Sequence, residues 1–234
     1  ASVKAYANAN RNPHAHMTAY KGMTYENAST ASDKNPVFLA HDEYRPFLRV
    51  SDCSQVSDGG SALVLCSEAG LAKLGMALGD ATEVAACVVS TASLAVDPDP
   101  LVLANTRNAV DKAYAEAGIT AADIQVAEVH DCFTVNEILM YETLGLAKQG
   151  QGARLLRDGL TAIDGKIPVN TGGGLVGFGH PVGATGVKQA LEIHRQLTGQ
   201  CGDYQIPGTP SVGVSANMGG DDRTSVVGIY KKVG

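Results

Sequence analysis

His130, Cys132 and His180 are the side chains of this chain whose types and surroundings could do chemistry. His130-Asp131-Cys132-Phe133 follows the apolar run Ile124 to Val129 and precedes Thr134-Val135-Asn136-Glu137, a capping-box pattern. The four residues therefore belong between a strand end and a helix start, where open α/β sheets bind ligands because helix dipoles and unpaired amides collect there. His180 is the single ionisable side chain in Val169 to Gly186, a stretch with seven glycines. Pro181 pushes it out of the helical region onto an extended corner. A thiol near an imidazole and a helix N-terminus can have a depressed pKa and then serve as acid, base or nucleophile. Glycine-loop N–H groups would face a developing oxyanion.

Plainer readings of the same residues stay open: a glycine-rich turn with a satisfied histidine, and Cys132 as a buried structural thiol. A Cys-His metal site lacks further ligands. A phosphate cradle lacks the G-x-x-x-x-G-K-[ST] pattern and a good preceding strand.

The elements that would position these residues alternate. Ser2 to Asn10 ends a helix that Asn12-Pro13 stops, and Tyr25 to Pro36 is polar. After Ser57-Asp58-Gly59-Gly60, the run Ala62 to Cys66 reads as a buried strand and Glu68 to Leu74 as a short helix closed by Gly75. Val84 to Ser90 is a second strand; Val110, Ala113, Tyr114 and Ala117 mark a helix ended by Gly118. A turn over 120–123 leads to the strand before His130. A helix then runs to Gly145, Gln149 to Lys166 reads as a surface loop, and Val187, Ala190, Leu191 and His194 mark a helix face ending near Leu197. Val212 to Val214 and Val226 to Tyr230 form an antiparallel pair. The sum is a layered α/β fold with a mixed, five-stranded sheet covered by helices.

The 234 residues carry a formal net charge of −6 with no basic run, which argues against nucleic acid or an anionic membrane as the main partner. No apolar run reaches the ~18 residues of a membrane span and no leader opens the chain, so an intracellular protein is expected. Five cysteines, Cys53, Cys66, Cys87, Cys132 and Cys201, include no C-x-x-C pair and read as free thiols, with Cys66 and Cys87 expected in the core.

Together these residues resemble the thiolase superfamily, specifically its sterol-carrier-protein type of 3-oxoacyl-CoA thiolase. Gly179-His180-Pro181, between Asn170-Thr171-Gly172-Gly173-Gly174 and Gly183-Ala184-Thr185-Gly186, is similar to the family's Gly-His-Pro block. His130-Asp131-Cys132-Phe133 resembles the block that other thiolases write Asn-Glu-Ala-Phe, and Ser57-Asp58-Gly59-Gly60-Ser61-Ala62 resembles the strand entry closing the loop domain. The resemblance implies a thiolase-like fold divided into a loop-domain remnant over 1–50, the last βα unit of the N-terminal half over 51–78, and the C-terminal half over 79–234. It implies thiolytic cleavage of a 3-oxoacyl-CoA by CoA, or the reverse Claisen condensation, in fatty-acid or sterol side-chain metabolism. His180 would activate a nucleophilic cysteine and Cys132 would move a proton on and off the acetyl α-carbon. His130 would position a water or donor in an oxyanion hole, and Gly219 would give its amide to an oxyanion. Acyl-CoA and CoA are the implied small-molecule partners and a homodimer the implied assembly, with no metal and no cofactor beyond the CoA moiety. The compartment would be cytoplasm in a bacterium, or mitochondrion or peroxisome in a eukaryote.

Two departures shape the expectation. Asn217-Met218-Gly219 stands where most thiolases carry Cys-x-Gly, and no stretch matches the family's nucleophile, Cys53 lying after the loop-domain stretch. The chain thus reads as the C-terminal part of a subunit whose N-terminal half is supplied elsewhere. Rival readings are a retro-aldolase on a steroid-CoA ester and a non-catalytic acyl-CoA or lipid carrier.

Overall fold

The computed structural model describes residues 1–17, 20–39 and 41–233; Thr18, Ala19 and Ala40, within the stretch read as a loop-domain remnant, and Gly234 lie outside it. In chain order it holds α1 (Ser2–Ala9), α2 (Tyr25–Ser29), α3 (Glu68–Lys73), β1 (Thr82–Thr91), α4 (Ala104–Ala117) and β2 (Val126–Val129). There follow α5 (Thr134–Thr143), α6 (Gly152–Arg157), α7 (Gly174–Phe178), α8 (Thr185–Leu197), β3 (Val212–Gly219) and β4 (Thr224–Lys232).

The strands form one mixed sheet in the order β1-β4-β3-β2, parallel between β2 and β3 and antiparallel elsewhere. Four strands stand where five are expected. Ala62 to Cys66 belongs to no strand, and Val64 and Leu65 are 83% and 74% exposed. An apolar run makes a strand only when another strand satisfies its backbone and another face covers its side chains, and neither is found among the described residues. At the opposite edge a single parallel bridge, Ala127 with Val169, extends the sheet beyond β2.

Two apolar clusters hold the sheet. On one face Val110, Ala113 and Tyr114 of α4 and Met140 and Tyr141 of α5 pack on Val129, Val214 and Val227. On the other, Ile193 and Leu197 of α8 meet Val126, Tyr204 and Ile206. The β3–β4 turn also starts a helix: Asp222, at φ 62°, accepts hydrogen bonds from Asn105 N (2.8 Å) and Thr106 N (2.9 Å) in the first turn of α4.

Several local expectations change for identifiable reasons. Thr134 does not close a capping box: its hydroxyl donates to Asp52 Oδ1 (3.1 Å), and Glu137 turns inward to Lys4 and to Tyr141 Oη (2.6 Å). The loop over 149–166 contains α6, which approaches α5 closely because Gly152, with no Cβ, lies against Ile138 O. Cys66 and Cys87 are exposed, not core, since Cys66 lies in the uncovered run and Cys87 on the open face of edge strand β1. The apolar residues Val187, Ala190 and Leu191 of α8 are only half-buried, while Lys188, Gln189, Glu192 and Gln196 face the sheet. No helix among the described residues is long and apolar enough to cross a membrane.

Candidate active site

The loop after β2 and the glycine-rich stretch meet. His130 N donates to Ala216 O (2.9 Å), continuing the β2–β3 ladder by one residue before the chain turns into α5. Asn170, at φ 54°, starts the second loop with its Oδ1 accepting from Val129 N (2.8 Å). Asp131 then joins the loops: its Oδ1 accepts from Leu175 N at 2.6 Å, in the first turn of α7. From the N-terminal side α1 packs on α7 through Ala5, Tyr6 and Val176, and Asn8 and Asn12 donate to the carbonyls of Asn170 and Gly172, both at 3.1 Å. The first helix is therefore a clamp on the glycine loop and not a frayed terminus.

A strap from Cys53 to Ser57 crosses both loops. Cys53 bridges Phe133, Ser54 N donates to Cys132 O (2.8 Å), Val56 bridges His180, and His180 N donates to Ser57 Oγ (3.3 Å). The consequence is that the rings of His130 and His180 meet edge to face, with centroids 5.3 Å apart and planes at 88°. A cleft of about 590 Å³ borders the glycine loop, lined by His16, Ser57, Gly179, Pro181, Thr185 and Lys188 among others; His130, Cys132 and His180 are not in its lining, although Gly179 and Pro181 flank His180.

His180 Nδ1 lies 2.7 Å from Thr185 Oγ1, whose own hydrogen goes to Pro181 O (3.1 Å). The hydroxyl must then accept from Nδ1–H, which leaves Nε2 of the neutral ring as a bare acceptor. Burial lowers the pKa of His180, and burial together with the charge of His180 lowers that of His130 to about 4. Both imidazoles are neutral at pH 7.

Cys132 follows a different course from the depressed pKa its neighbours suggest. Burial first, and then the charge of Asp131, raise the thiol to about 11 against the smaller pull of the Phe133 and Cys132 amides. Among the described residues no hydrogen bond joins the thiol to either imidazole, so it rests protonated. Cys53 is buried, with its thiol pushed up to about 12 by burial, and Cys201, also at about 12, lies in the α8 cluster. Neither has the thiolate character of a nucleophile. Gly219 lies at the exposed end of β3, two residues beyond Asn217.

Sequence reasoning missed Asn217, Thr185 and Gln189. Thr185 lies five residues from His180, a spacing a helix start could have suggested. Asn217 meets His130 across 87 residues, through a ladder only the fold reveals.

The neutral His130 couples to stability. The unfolded ring takes its proton near 6.5 and the folded ring near 4, so the unfolded state binds more protons between these values. The stabilisation from the neutral ring is full above pH 6.5 and is lost as pH falls to about 4, amounting to about 3 kcal/mol. Urea unfolding of wild type and His130→Gln across pH 7 to 4 is expected to show a steeper acid decline in wild type. Parallel declines would place His130 in a solvated setting.

Residues 86–232 match the thiolase C-terminal domain-like family. Over 185 residues the chain is 41% identical to an acetyl-CoA acetyltransferase of Methanothermobacter thermautotrophicus, covering 79% of this chain and 48% of that protein. Over 198 residues it is 38% identical to sterol carrier protein 2 of Homo sapiens, covering 82% of this chain and 36% of that one. The chain thus spans between about a third and a half of these relatives. The solved structure of an Ltp2-ChsH2(DUF35) aldolase superposes with a TM-score of 0.76 at 19% identity, over 99% of this chain and 56% of its own, a likeness of fold. With the layered α/β sheet, the two loops and the matched residues on the page, the chain belongs to the thiolase family, within its C-terminal domain-like part.

Proposed function

We propose that this chain is the C-terminal part of a thiolase-type acyl-CoA C-acyltransferase that cleaves a 3-oxoacyl-CoA with CoA, or condenses two acyl-CoA molecules in reverse, within a homodimer. The observation that carries the reading is the convergence of His130 and His180 at 5.3 Å beside the loop that bears Cys132. His180 Nε2, bare in the neutral ring, takes the proton of a cysteine thiol; that thiolate attacks the ketone carbonyl of the 3-oxoacyl-CoA. The bond between the α- and β-carbons then breaks, leaving an acyl-cysteine and the enolate of acetyl-CoA. Cys132, protonated at rest, returns a proton to the enolate carbon. A water or donor held by His130, with the amide of Gly219, stabilises the enolate oxygen. Free CoA finally releases the shortened acyl group.

The attacking cysteine lies in the remaining part of the subunit. Supporting this, Cys53 and Cys201 are buried high-pKa thiols, and Val64 and Leu65 of the uncovered run and Val84 and Val89 of β1 are exposed apolar side chains for that part to cover. Residues 1–50 then correspond to the loop-domain remnant and 51–78 to the last βα unit before the C-terminal half.

The test is mass spectrometry of the full-length protein and of this 234-residue chain after incubation with acetoacetyl-CoA. A covalent acetyl adduct on a cysteine outside this chain, with none on the chain alone, is the expected result. Turnover by the chain alone would show the nucleophile misplaced. Bound ester with no adduct would instead favour a carrier; an aldehyde or ketone product with no adduct would favour retro-aldol cleavage of a CoA ester, chemistry that a fold shared with an aldolase can hold.

A further inference from the structure

The inner face of α8 is polar because the sheet beneath it is polar. Glu128 and His130 project from alternate positions of β2 and its extension, and Ser215 and Asn217 from the matching positions of β3, where Glu128 pairs with Ser215. Against them α8 sets Lys188, Gln189 and Glu192, each more than nine-tenths buried. Lys188 Nζ donates to Glu128 Oε2 (3.3 Å). Asn217 Nδ2 donates to Gln189 Oε1 (2.7 Å), and Asn217 Oδ1 lies 2.9 Å from His130 Nδ1.

Resting on the proposed roles of the two histidines, we propose that Asn217 and Gln189 are positioning residues that fix the tautomer of His130, so that its Nε2 is left as a hydrogen-bond acceptor. The argument runs outward from α8. Gln189 Nε2, Glu128 Oε1 and both carboxylate oxygens of Glu192 are buried without a hydrogen-bond partner, Arg195 Nη1 standing 3.7 Å from Glu192 Oε1. Gln189 turns its carbonyl end to Asn217, whose Nδ2 donates to it at 2.7 Å. Because Asn217 spends its Nδ2 on that carbonyl, only its Oδ1 remains for His130. A carbonyl oxygen can only accept, hence Nδ1 carries the hydrogen and Nε2 of the neutral ring carries the lone pair.

The consequence narrows the chemistry. His130 gives no hydrogen bond of its own to a thioester oxygen; it orients a water by accepting one hydrogen, and the water's other hydrogen reaches the oxygen. With Thr185 fixing His180 in the same way, both rings present Nε2 as acceptors: one receives a thiol proton, the other holds the water. A positioning pair of this kind is expected to be worth about 10–100-fold in rate, as groups behind a functional histidine commonly are.

The test uses full-length protein labelled with ¹⁵N-histidine, in which long-range ¹H–¹⁵N correlations distinguish the two neutral tautomers, with His130→Gln assigning the signal. Wild type is expected to show His130 protonated at Nδ1. Asn217→Asp keeps an acceptor there and is expected to keep the tautomer, while Asn217→Leu removes it and is expected to yield the Nε2–H form or a mixture, with a 10–100-fold lower kcat. An Nε2–H wild-type ring would overturn the proposal, and so would an unchanged spectrum in Asn217→Leu. Should Asn217→Leu not fold, the wild-type spectrum alone decides. Since the spectrum needs no turnover, a correct tautomer in a protein without thiolase activity would sink the functional reading and leave this one standing.

Discussion

Replacing Cys132 by alanine in the full-length protein is expected to slow exchange of the acetyl-CoA α-protons with solvent by about 10²–10⁴-fold, the usual contribution of a positioned acid or base. Deuterium incorporation into acetyl-CoA, followed by mass spectrometry, measures it without requiring a complete catalytic cycle. The thiol's position near 11 adds a sharper expectation. Only the thiolate removes a proton, and its fraction rises about tenfold per pH unit below the pKa. Exchange by the wild type is therefore expected to climb nearly tenfold between pH 7 and 8, and again between 8 and 9. In the condensing direction bound substrate must lower that barrier, whereas in cleavage the resting thiol already holds the proton it must give. Exchange at the wild-type rate in Cys132→Ala would remove the acid–base role from this residue.

The sequence made legible what depends on short-range backbone chemistry. Gly118, at φ 65°, ends α4, and Pro181 holds His180 on a corner before α8. The strand-to-helix setting of His130 and Cys132 followed from the apolar run before them and the polar start after them. The thiol's pKa went the other way from its neighbours' suggestion, because desolvation outweighs the two amides and Asp131 adds a like charge. The inward face of α8 was illegible for a related reason: periodicity assumes that apolar residues seek the sheet, and here Glu128, His130 and Asn217 require polar partners beneath the helix. Ala62 to Cys66 misled because its composition describes a strand whose neighbours are not among the described residues.

Gly174→Ala is expected to destabilise the protein by roughly 3 kcal/mol and to reduce activity with it. Two costs combine. Gly174 holds φ at 62°, a left-handed conformation that costs a residue with a Cβ about 1–2 kcal/mol. A Cβ there would also overlap the carboxyl group of Asp131, forcing that side chain off Leu175 N and breaking the bond between the two loops at 2.6 Å; a lost hydrogen bond with a buried partner costs about 1–3 kcal/mol. Asp131 is already under strain of another kind, its pKa raised to about 8 by burial first and then by the charge of Glu137. Its Oδ1 can accept from Leu175 N whether the carboxyl is ionised or protonated, so the tie does not depend on ionisation. Asp131→Ala removes the obstructing group, and in the double variant the steric part of the cost disappears while the backbone part stays. Urea unfolding of the two single variants and the double variant is therefore expected to show a favourable coupling of about 1–2 kcal/mol. Additive losses would mean that the glycine loop yields without disturbing Asp131, and that the Val129–Asn170 hydrogen bond and the Cys53–Ser57 strap hold the two loops in register without it.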